Sequence, residues 1–204
     1  MSEPIHIVHP SLWENLAQLD ADAVCRQSGA QLDETSGSYI IDFLQERYRI
    51  APETRGFSLL SGPAPAEAPS RDLQVVVITY LLSAREMPLS HELVAASSLK
   101  GGKTFFQGAH RFPLDALIEQ YGGDPDGFLA RGLSLGAAQE HFGDTGLRFP
   151  ALPRVPVVMV LWRDDEEFPA RLSVLFDASI ESHLPLDAIY GLVTEICRRM
   201  EGRG

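Results

Sequence analysis

The feature that most constrains the fold is the stretch of residues 154–177. Residues 155–162 are apolar at every position except Pro156, a pattern typical of a strand that is buried on both faces. Residues 163–167 are all charged and require contact with water. A half-buried partner strand is indicated beyond them, with apolar Leu172, Val174 and Phe176 alternating with polar Arg171 and Ser173. The stretch therefore predicts a long β-hairpin with an acidic tip, at the centre of a sheet.

The length and composition of the chain are those of one globular domain. It has 204 residues, of which 45% are apolar and 22% are charged. Residues 61–70 are small and rich in proline, which disrupts regular hydrogen-bonded structure, so they predict a surface linker. The segment before this linker is too small to hold a core of its own. We therefore expect a single domain over residues 1–204, with a frayed tail at residues 201–204.

The charge of the chain argues against two classes of partner. Nucleic acids and anionic membrane surfaces are bound by clustered basic residues, whereas this chain has a formal net charge of −11 and no basic run longer than Arg198-Arg199. No segment has the roughly 20 uninterrupted apolar residues that a membrane-spanning helix needs. The first residues lack the basic start and apolar run of a signal peptide. We therefore expect a cytoplasmic protein.

Apolar spacing and capping residues predict the remaining elements. Helix signals occur from Ser11, from Asp20 to Gly29, at residues 73–86 and 114–121, from Asp124, and at residues 186–200. Strand signals occur in a small hairpin at residues 37–50 and in a short segment at residues 92–96. Residues 132–150 are punctuated by glycine and predict a loop. Together these patterns predict an α+β fold, an antiparallel or mixed sheet centred on the hairpin with helices packed against it.

Most motifs with catalytic associations are incomplete. Residues 101–104, Gly-Gly-Lys-Thr, are similar to the end of a phosphate-binding loop, but Ser97 stands where that motif requires glycine, so they predict a plain turn. Cys25 and Cys197 are the only cysteines and lie too far apart to hold an iron–sulfur cluster or a structural zinc site by themselves. We expect both to pack as small apolar side chains. His110, His141 and His183 show no metal-ligand spacing, and their roles stay open.

The acidic run at residues 164–167 is the sharpest candidate site. Clustered carboxylates can bind a hard divalent ion, and the candidate ligands are Asp144, Asp165, Glu167 and Asp177. The competing interpretation is a solvated turn whose charges prevent edge-to-edge aggregation of the hairpin. A third interpretation is a contact surface for a partner protein, because an aromatic residue and a proline follow the acids. The candidate residues of this surface are Trp162, Glu166, Glu167, Phe168 and Asp177. Asp177 is also well placed to cap the turn that follows its strand.

Several motifs of this chain resemble an uncharacterised domain family that is known mainly from anaerobic bacteria and archaea. The resemblance is densest at Pro153-Arg-Val-Pro156, Leu161-Trp162, Asp165-Glu-Glu-Phe-Pro169, Leu175-Phe-Asp177 and Leu184-Pro185, and it extends to residues 39–50, 73–82 and 143–144. Some members carry an appended four-cysteine iron–sulfur domain of the type found in corrinoid proteins. This chain lacks those cysteines, so the resemblance implies a metabolic neighbourhood, anaerobic redox or methyl-transfer chemistry, and no intrinsic cluster.

The absence of a catalytic constellation in the sequence leads to one leading hypothesis and two alternatives. We expect a non-catalytic accessory or binding module that docks an iron–sulfur or corrinoid partner or a small ligand, and no catalytic residue is assigned. The first alternative is an enzyme that uses a divalent metal held by the carboxylates near the acidic tip. The second is a purely structural subunit, which an apolar self-interface without a pocket would indicate.

Overall fold

The computed structural model describes residues 8–62 and 68–202, which form seven α-helices, nine strands and three short 3-10 helices. The α-helices are α1 Pro10–Gln18, α2 Ala21–Ser28, α3 Arg71–Ser83, α4 Gly102–Phe105, α5 Asp115–Tyr121, α6 Pro125–Ser134 and α7 Leu186–Met200. The strands are β1 Gln31–Asp33, β2 Ser38–Phe43, β3 Glu46–Ala51, β4 Gly56–Ser61, β5 Leu93–Ala95, β6 Ala138–Glu140, β7 Thr145–Leu152, β8 Val155–Trp162 and β9 Arg171–Asp177. Residues 63–67 of the predicted linker and 203–204 of the predicted frayed tail lie outside the described residues.

The first sheet is a four-stranded antiparallel meander, in the order β1-β2-β3-β4. Its central pair is the small hairpin that the sequence predicts, with Tyr39 opposite Ile50 and Ile41 opposite Tyr48. These four side chains are buried, because they occupy the alternate positions of each strand that face the core. A backbone hydrogen bond of 3.4 Å from the amide of Leu44 to the carbonyl of Ala151 reaches the second sheet.

The second sheet is five-stranded and antiparallel, in the order β5-β9-β8-β7-β6. The hairpin predicted at residues 154–177 forms β8 and β9, paired with Val157 opposite Phe176 and Leu161 opposite Leu172. Strand β8 is central and buried on both faces, as its unbroken apolar run predicts. The α+β fold and the central position of the hairpin are thus confirmed.

The prediction of a loop at residues 132–150 is wrong, because this segment contains β6 and most of β7. Its glycines serve close packing. A Cβ atom added at Gly132 in α6 would come within 2.3 Å of the Leu147 side chain, so glycine lets the helix approach β7 directly. Two predicted helix starts also differ: His9 caps α1 in place of Ser11, and Ser70 caps α3 through a hydrogen bond to the amide of Leu73.

Helices α3 and α7 supply the middle of the core. Helix α3 is buried on most sides, as its apolar run predicts, and α7 buries the face that its 3.6-residue spacing predicts. The Tyr80 hydroxyl in α3 donates to the carbonyl of Ser28 at 2.7 Å and accepts from the amide of Arg154 at 3.2 Å. Tyr80 therefore ties α2 and the β7–β8 turn to the same helix. No helix among the described residues is long and apolar enough to cross a membrane.

A buried ion pair joins the first sheet to the last helix. The Arg199 guanidinium in α7 lies 2.9 Å from the Glu46 carboxylate in β3, and both residues are less than 10% exposed. The Tyr48 hydroxyl donates to the same carboxylate at 2.6 Å. The carbonyl of Arg199 accepts a hydrogen bond from the Arg131 guanidinium in α6. The end of α7 is therefore held by charged groups from two other elements.

Removing the negative charge of this pair tests how much of the fold depends on it. The variant Glu46→Gln leaves the Arg199 guanidinium buried without its counter-ion, and we expect the free energy of unfolding to fall by about 3 kcal/mol in urea denaturation. The control is Asp42→Asn, which removes the exposed ion pair with Arg47 and is expected to cost at most about 1 kcal/mol. Equal effects of the two substitutions would contradict the role given to the buried pair.

Candidate functional site

The acidic tip, residues 163–170 between β8 and β9, has a defined backbone geometry. The Asp165 carboxylate accepts hydrogen bonds from the amides of Glu167 at 2.9 Å and Phe168 at 2.7 Å. The amide of Asp165 donates to the carbonyl of Phe168 at 3.0 Å. The two amides that donate to it hold the pKa of the Asp165 carboxyl below its ordinary value. Aspartate commonly organises a turn in this way, so Asp165 shapes the tip from within.

The tip rests on the turn between α5 and α6. The amide of Asp164 donates to the carbonyl of Gly122 at 3.3 Å. A Cβ atom added at Gly122 would come within 2.7 Å of the Cβ of Ala170, so this close approach requires glycine. The glycine pair that marks the end of α5 in the sequence therefore also positions the tip. The acidic loop is braced against a helix terminus at this point.

Aromatic and basic side chains flank the acids of the tip. The Phe168 side chain is 66% exposed, the largest value among the exposed large apolar side chains of the described residues. At the base of the tip, the Arg171 guanidinium lies 4.2 Å from the centroid of the Trp162 ring, in a cation–π contact. This stacking holds the two ends of the loop together, because Trp162 and Arg171 are paired across β8 and β9.

Two concave surfaces adjoin the tip, and both are lined by Asp165, Phe168, Pro169 and Ala170. One has a volume of about 560 Å³ and is formed by residues 164–170 together with the end of α5, including Ile118 and Gly122. The other, about 400 Å³, is lined by Asp144, Trp162, Asp165 and Phe168 among others. Apart from Asp177, six residues were predicted from the sequence: four of them, Asp144, Trp162, Asp165 and Phe168, line the second cavity, and the other two, Glu166 and Glu167, line the first.

The four candidate metal ligands are divided among different places. Asp144 accepts a hydrogen bond from the amide of Arg163 at 2.9 Å and lines the same cavity as Asp165. Glu167 lines the 560 Å³ cavity, which Asp144 does not line, and Asp177 lies at the far end of β9, about 20 Å along the strand from Arg171. No group of three or more His, Cys, Asp or Glu side chains in the described part of the chain converges as a metal site would. The metal-dependent alternative stays a prediction.

Asp177 organises the turn at the end of β9. Its carboxylate accepts from the amide and hydroxyl of Ser90 at 2.9 and 2.8 Å, from the amide of His91 at 2.8 Å, and from the amide of Ser179 at 3.0 Å. Burial raises the pKa of Asp177, but the hydrogen bonds from Ser179 and Ser90 outweigh burial and hold the pKa well below its ordinary value. The capping role is therefore confirmed, and it binds residues 90–91 to β9.

The three histidines have different surroundings. His141 is exposed, and the exposed His110 stacks on Phe105 with ring centroids 4.4 Å apart. His183 is fully buried, and its Nδ1 accepts from the amide of Arg85 at 3.3 Å while Nε2 has no hydrogen-bond partner. Burial lowers the pKa of His183, and the positive charges of Arg154 and Arg85 lower it further, against the opposing effect of Asp177. His183 is therefore a neutral core residue at neutral pH.

The two cysteines pack against the core, as expected. Cys197 is buried, and burial raises the pKa of its thiol to about 12. Cys25 is half-buried, and burial together with the nearby Asp22 raises the pKa of its thiol. Because the thiolate is the nucleophilic form, both side chains are held in their less reactive state at neutral pH.

The sequence reasoning missed a further cavity beside β9. Its volume is about 610 Å³, and it lies between residues 172–175 of β9 and the helices α4 and α5. Much of its lining comes from residues 95–114, a segment that contains Lys100, Lys103 and Arg111 and no acidic residue. In a chain with a net charge of −11, a segment without acids could have indicated a basic surface from the sequence. It was missed because its cationic residues are too widely spaced to form a run.

Comparison with known protein families matches most of the chain to one family model. A family model described as a domain of unknown function, DUF3786, matches residues 20–199, which include every residue of the candidate site. Searches of the curated proteins and of the solved structures gave no significant match.

The buried His183 predicts a specific pH dependence of stability. Its pKa is lower in the folded chain than the ordinary value of about 6.5 expected when unfolded. The unfolded state therefore binds more protons, and the stabilisation by neutral His183 is complete above about pH 6.5 and is lost as the pH falls below it. In urea denaturation from pH 8 to 5, we expect His183→Gln to show a smaller acid-induced loss of unfolding free energy than the wild type.

The exposed His141→Gln variant is the control for removing an imidazole. Identical pH profiles for the wild type and for His183→Gln would contradict the assignment of His183 as a buried neutral base.

Proposed function

We propose that this chain, which belongs to the DUF3786 family of domains of unknown function, is a non-catalytic protein-binding module. The proposed docking surface is the acidic tip at residues 163–170. The observation that carries the proposal is Phe168, an aromatic side chain 66% exposed on a loop whose shape is held by the Asp165 turn. Exposed aromatic side chains on ordered loops are typical anchors of protein interfaces.

The order of the tip supports binding without a large entropic cost. Asp165 organises its own turn, Asp164 is hydrogen-bonded to Gly122, and the cation–π contact between Trp162 and Arg171 closes the base. A surface that is ordered before binding loses less conformational freedom when a partner docks. The two cavities beside the tip, about 560 and 400 Å³, are both lined by Phe168 and offer space for partner side chains next to it.

The charges of the tip select the class of partner surface. Residues 164–167 are four consecutive acids, all exposed, in a chain with a net charge of −11. They favour a partner with a basic patch around an apolar pocket that accepts Phe168. Such complementary charges accelerate association and discriminate against acidic surfaces. Binding is therefore expected to weaken as the salt concentration rises, since exposed charges are screened.

The non-catalytic part of the proposal rests on how the reactive groups are used. Burial keeps the Cys197 and Cys25 thiols protonated at neutral pH. The Asp177 carboxylate accepts four hydrogen bonds that hold a turn, and the Asp165 carboxylate accepts two from its own loop. These groups act in the stability and shape of the protein, which favours binding over chemistry.

The identity of the partner is proposed from the resemblance described in the sequence analysis. Some members of the resembling family carry a four-cysteine iron–sulfur domain of the type found in corrinoid proteins. We extend the proposal to a separate iron–sulfur or corrinoid protein that docks on the tip, in anaerobic redox or corrinoid-linked metabolism in the cytoplasm. A partner of this kind would supply an iron–sulfur or corrinoid cofactor, whereas this chain has only two cysteines.

Charge reversal at the tip tests the proposal. The double variant Glu166→Lys/Glu167→Lys is expected to reduce recovery of the partner at least about tenfold, because it replaces attraction with repulsion at the docking surface. Phe168→Ala is expected to reduce it by a similar factor through loss of the anchor. The measurement is affinity capture from an anaerobic cell lysate, followed by mass spectrometry of the bound proteins and cofactor analysis of the recovered partner.

The matched control is Glu34→Lys/Glu53→Lys, which makes the same change in net charge at two exposed positions in the β1–β2 and β3–β4 turns. This control is expected to capture the partner as the wild type does, and thermal denaturation establishes that all variants remain folded. Equal capture by the tip variant and the control would refute docking at the tip. Recovery of a partner without a metal or corrinoid cofactor would refute only the extension to that class.

A further inference from the structure

The outer edge of β9 is paired over less than half of its length. Strand β5 is hydrogen-bonded to β9 with Ala95 opposite Leu175 and Leu93 opposite Asp177. Beyond Ala95 the chain turns into the 3-10 helix Ala96–Ser98 and leaves the sheet. No other element in the described ranges forms a backbone hydrogen bond with residues 171–174 on this side. The backbone amides and carbonyls that point outward there are therefore free to pair with a further strand.

The space beside this free edge is open. A cavity of about 610 Å³ lies where β5 would continue, within the range of about 300–1,000 Å³ that is typical of ligand sites. Residues 172–175 of β9 form part of its lining, and an apolar wall is supplied by Phe106, just after α4, Leu114, just before α5, and Ile118 in α5. We name this space the β9-edge groove. It offers both backbone hydrogen-bonding groups and apolar side chains.

The groove is basic in a chain that is otherwise strongly acidic. Lys103 and Arg111 both line it, and the segment from residue 93 to residue 114 contains no acidic residue. Lys100 and Lys103 are the only lysines in the chain. Lys103 forms no ion pair with any described residue, whereas Arg111 pairs with the exposed Asp115 at 2.9 Å. At least one cationic group at the groove is therefore available to an anionic partner.

We propose that the β9-edge groove binds an extended acidic peptide segment of a partner protein by strand addition. The segment pairs its backbone with β9 opposite residues 171–174, a length of about 13 Å for four extended residues. Its alternate side chains meet the apolar wall formed by Phe106, Leu114 and Ile118. Its carboxylates meet Lys103 and Arg111. Hydrogen bonds between the peptide backbone and β9 contribute most of the affinity, and Lys103 and Arg111 account for the preference for acidic sequences.

An extended peptide uses more of this surface than a small anion does. A small carboxylate would engage Lys103 alone and leave the outward amides and carbonyls of β9 unpaired. A peptide strand satisfies those groups, buries the apolar wall and places an acid near the lysine at the same time. The two occupants differ in one testable respect: only the peptide depends on its own backbone N–H groups.

The test uses a peptide labelled with fluorescein at its N-terminus, fluorescein-Glu-Val-Glu-Val-Glu-Val-Glu-amide, and the full chain in fluorescence anisotropy titrations. We expect saturable binding that Lys103→Glu weakens about tenfold. The matched control is Lys100→Glu, which makes the same charge change on the same segment outside the lining of the groove and is expected to change the Kd less than about twofold. Hydrogen exchange should show new protection of amides within residues 171–174 when the peptide is bound.

A second peptide isolates the contribution of the backbone. In it the amides of alternate residues are N-methylated, in both possible frames, so that the side chains are kept and strand pairing is blocked. At least one frame is expected to weaken binding about tenfold or more. Equal affinity of the parent and both methylated peptides, or full displacement by free glutamate, would identify a plain anion site and overturn strand addition. No binding of the parent peptide up to about 1 mM would overturn it as well.

This inference is independent of the function proposed for the acidic tip. The variant Glu166→Lys/Glu167→Lys leaves the groove lining intact, so it is expected to bind the parent peptide within about threefold of the wild type. Loss of partner capture with retained peptide binding therefore separates the two surfaces.

Discussion

The ion pair between Glu46 and Arg199 is the interaction on which much of the architecture depends. It is buried, it joins residues 153 positions apart, and it connects the first sheet to the end of α7. Because a buried charge without its partner is costly, the pair opposes any separation of these two elements. The same end of α7 receives the Tyr121 hydroxyl, which donates to the carbonyl of Met200 at 2.8 Å and fixes the end of α5.

A short series of contacts connects the end of α7 to the candidate site. Tyr121 is followed in the chain by Gly122, whose carbonyl accepts the amide of Asp164 in the acidic tip. The tip is thus braced by a helix terminus that is itself held by the end of α7. A loop of exposed acids would ordinarily be mobile, since exposed like charges repel each other. Its order comes from this brace and from the Asp165 turn.

Two surfaces of opposite charge lie along the same strand. The acidic tip precedes the first residue of β9, and the basic β9-edge groove follows the outer edge of that strand. Ile118 lines both the groove and the 560 Å³ cavity beside the tip, so the two surfaces are neighbours. A chain with a net charge of −11 that keeps its two lysines on one segment has a strongly uneven charge distribution. Such a distribution orients an approaching partner as well as attracting it.

Local sequence patterns were sufficient to predict those elements whose structure depends mainly on their own residues. The unbroken apolar run of β8, the alternation in β2 and the helical spacing of α7 predicted those elements correctly, because burial selects side chains with the period of the backbone. The same reasoning failed at residues 132–150. There the glycines suggested a loop, but their role is to let α6 and neighbouring strands approach closely, which depends on residues distant in the chain.

The sequence by itself determined the α+β fold, the central hairpin and the acidic character of its tip, because these follow from periodicity and from the cost of burying charge. Tertiary structure alone decided which candidates meet. It separates Asp177 from the tip, since the two lie at opposite ends of one extended strand. It also creates the β9-edge groove, because β5 ends after three residues and leaves β9 uncovered. Pairing between distant segments has no period, so no local pattern records it.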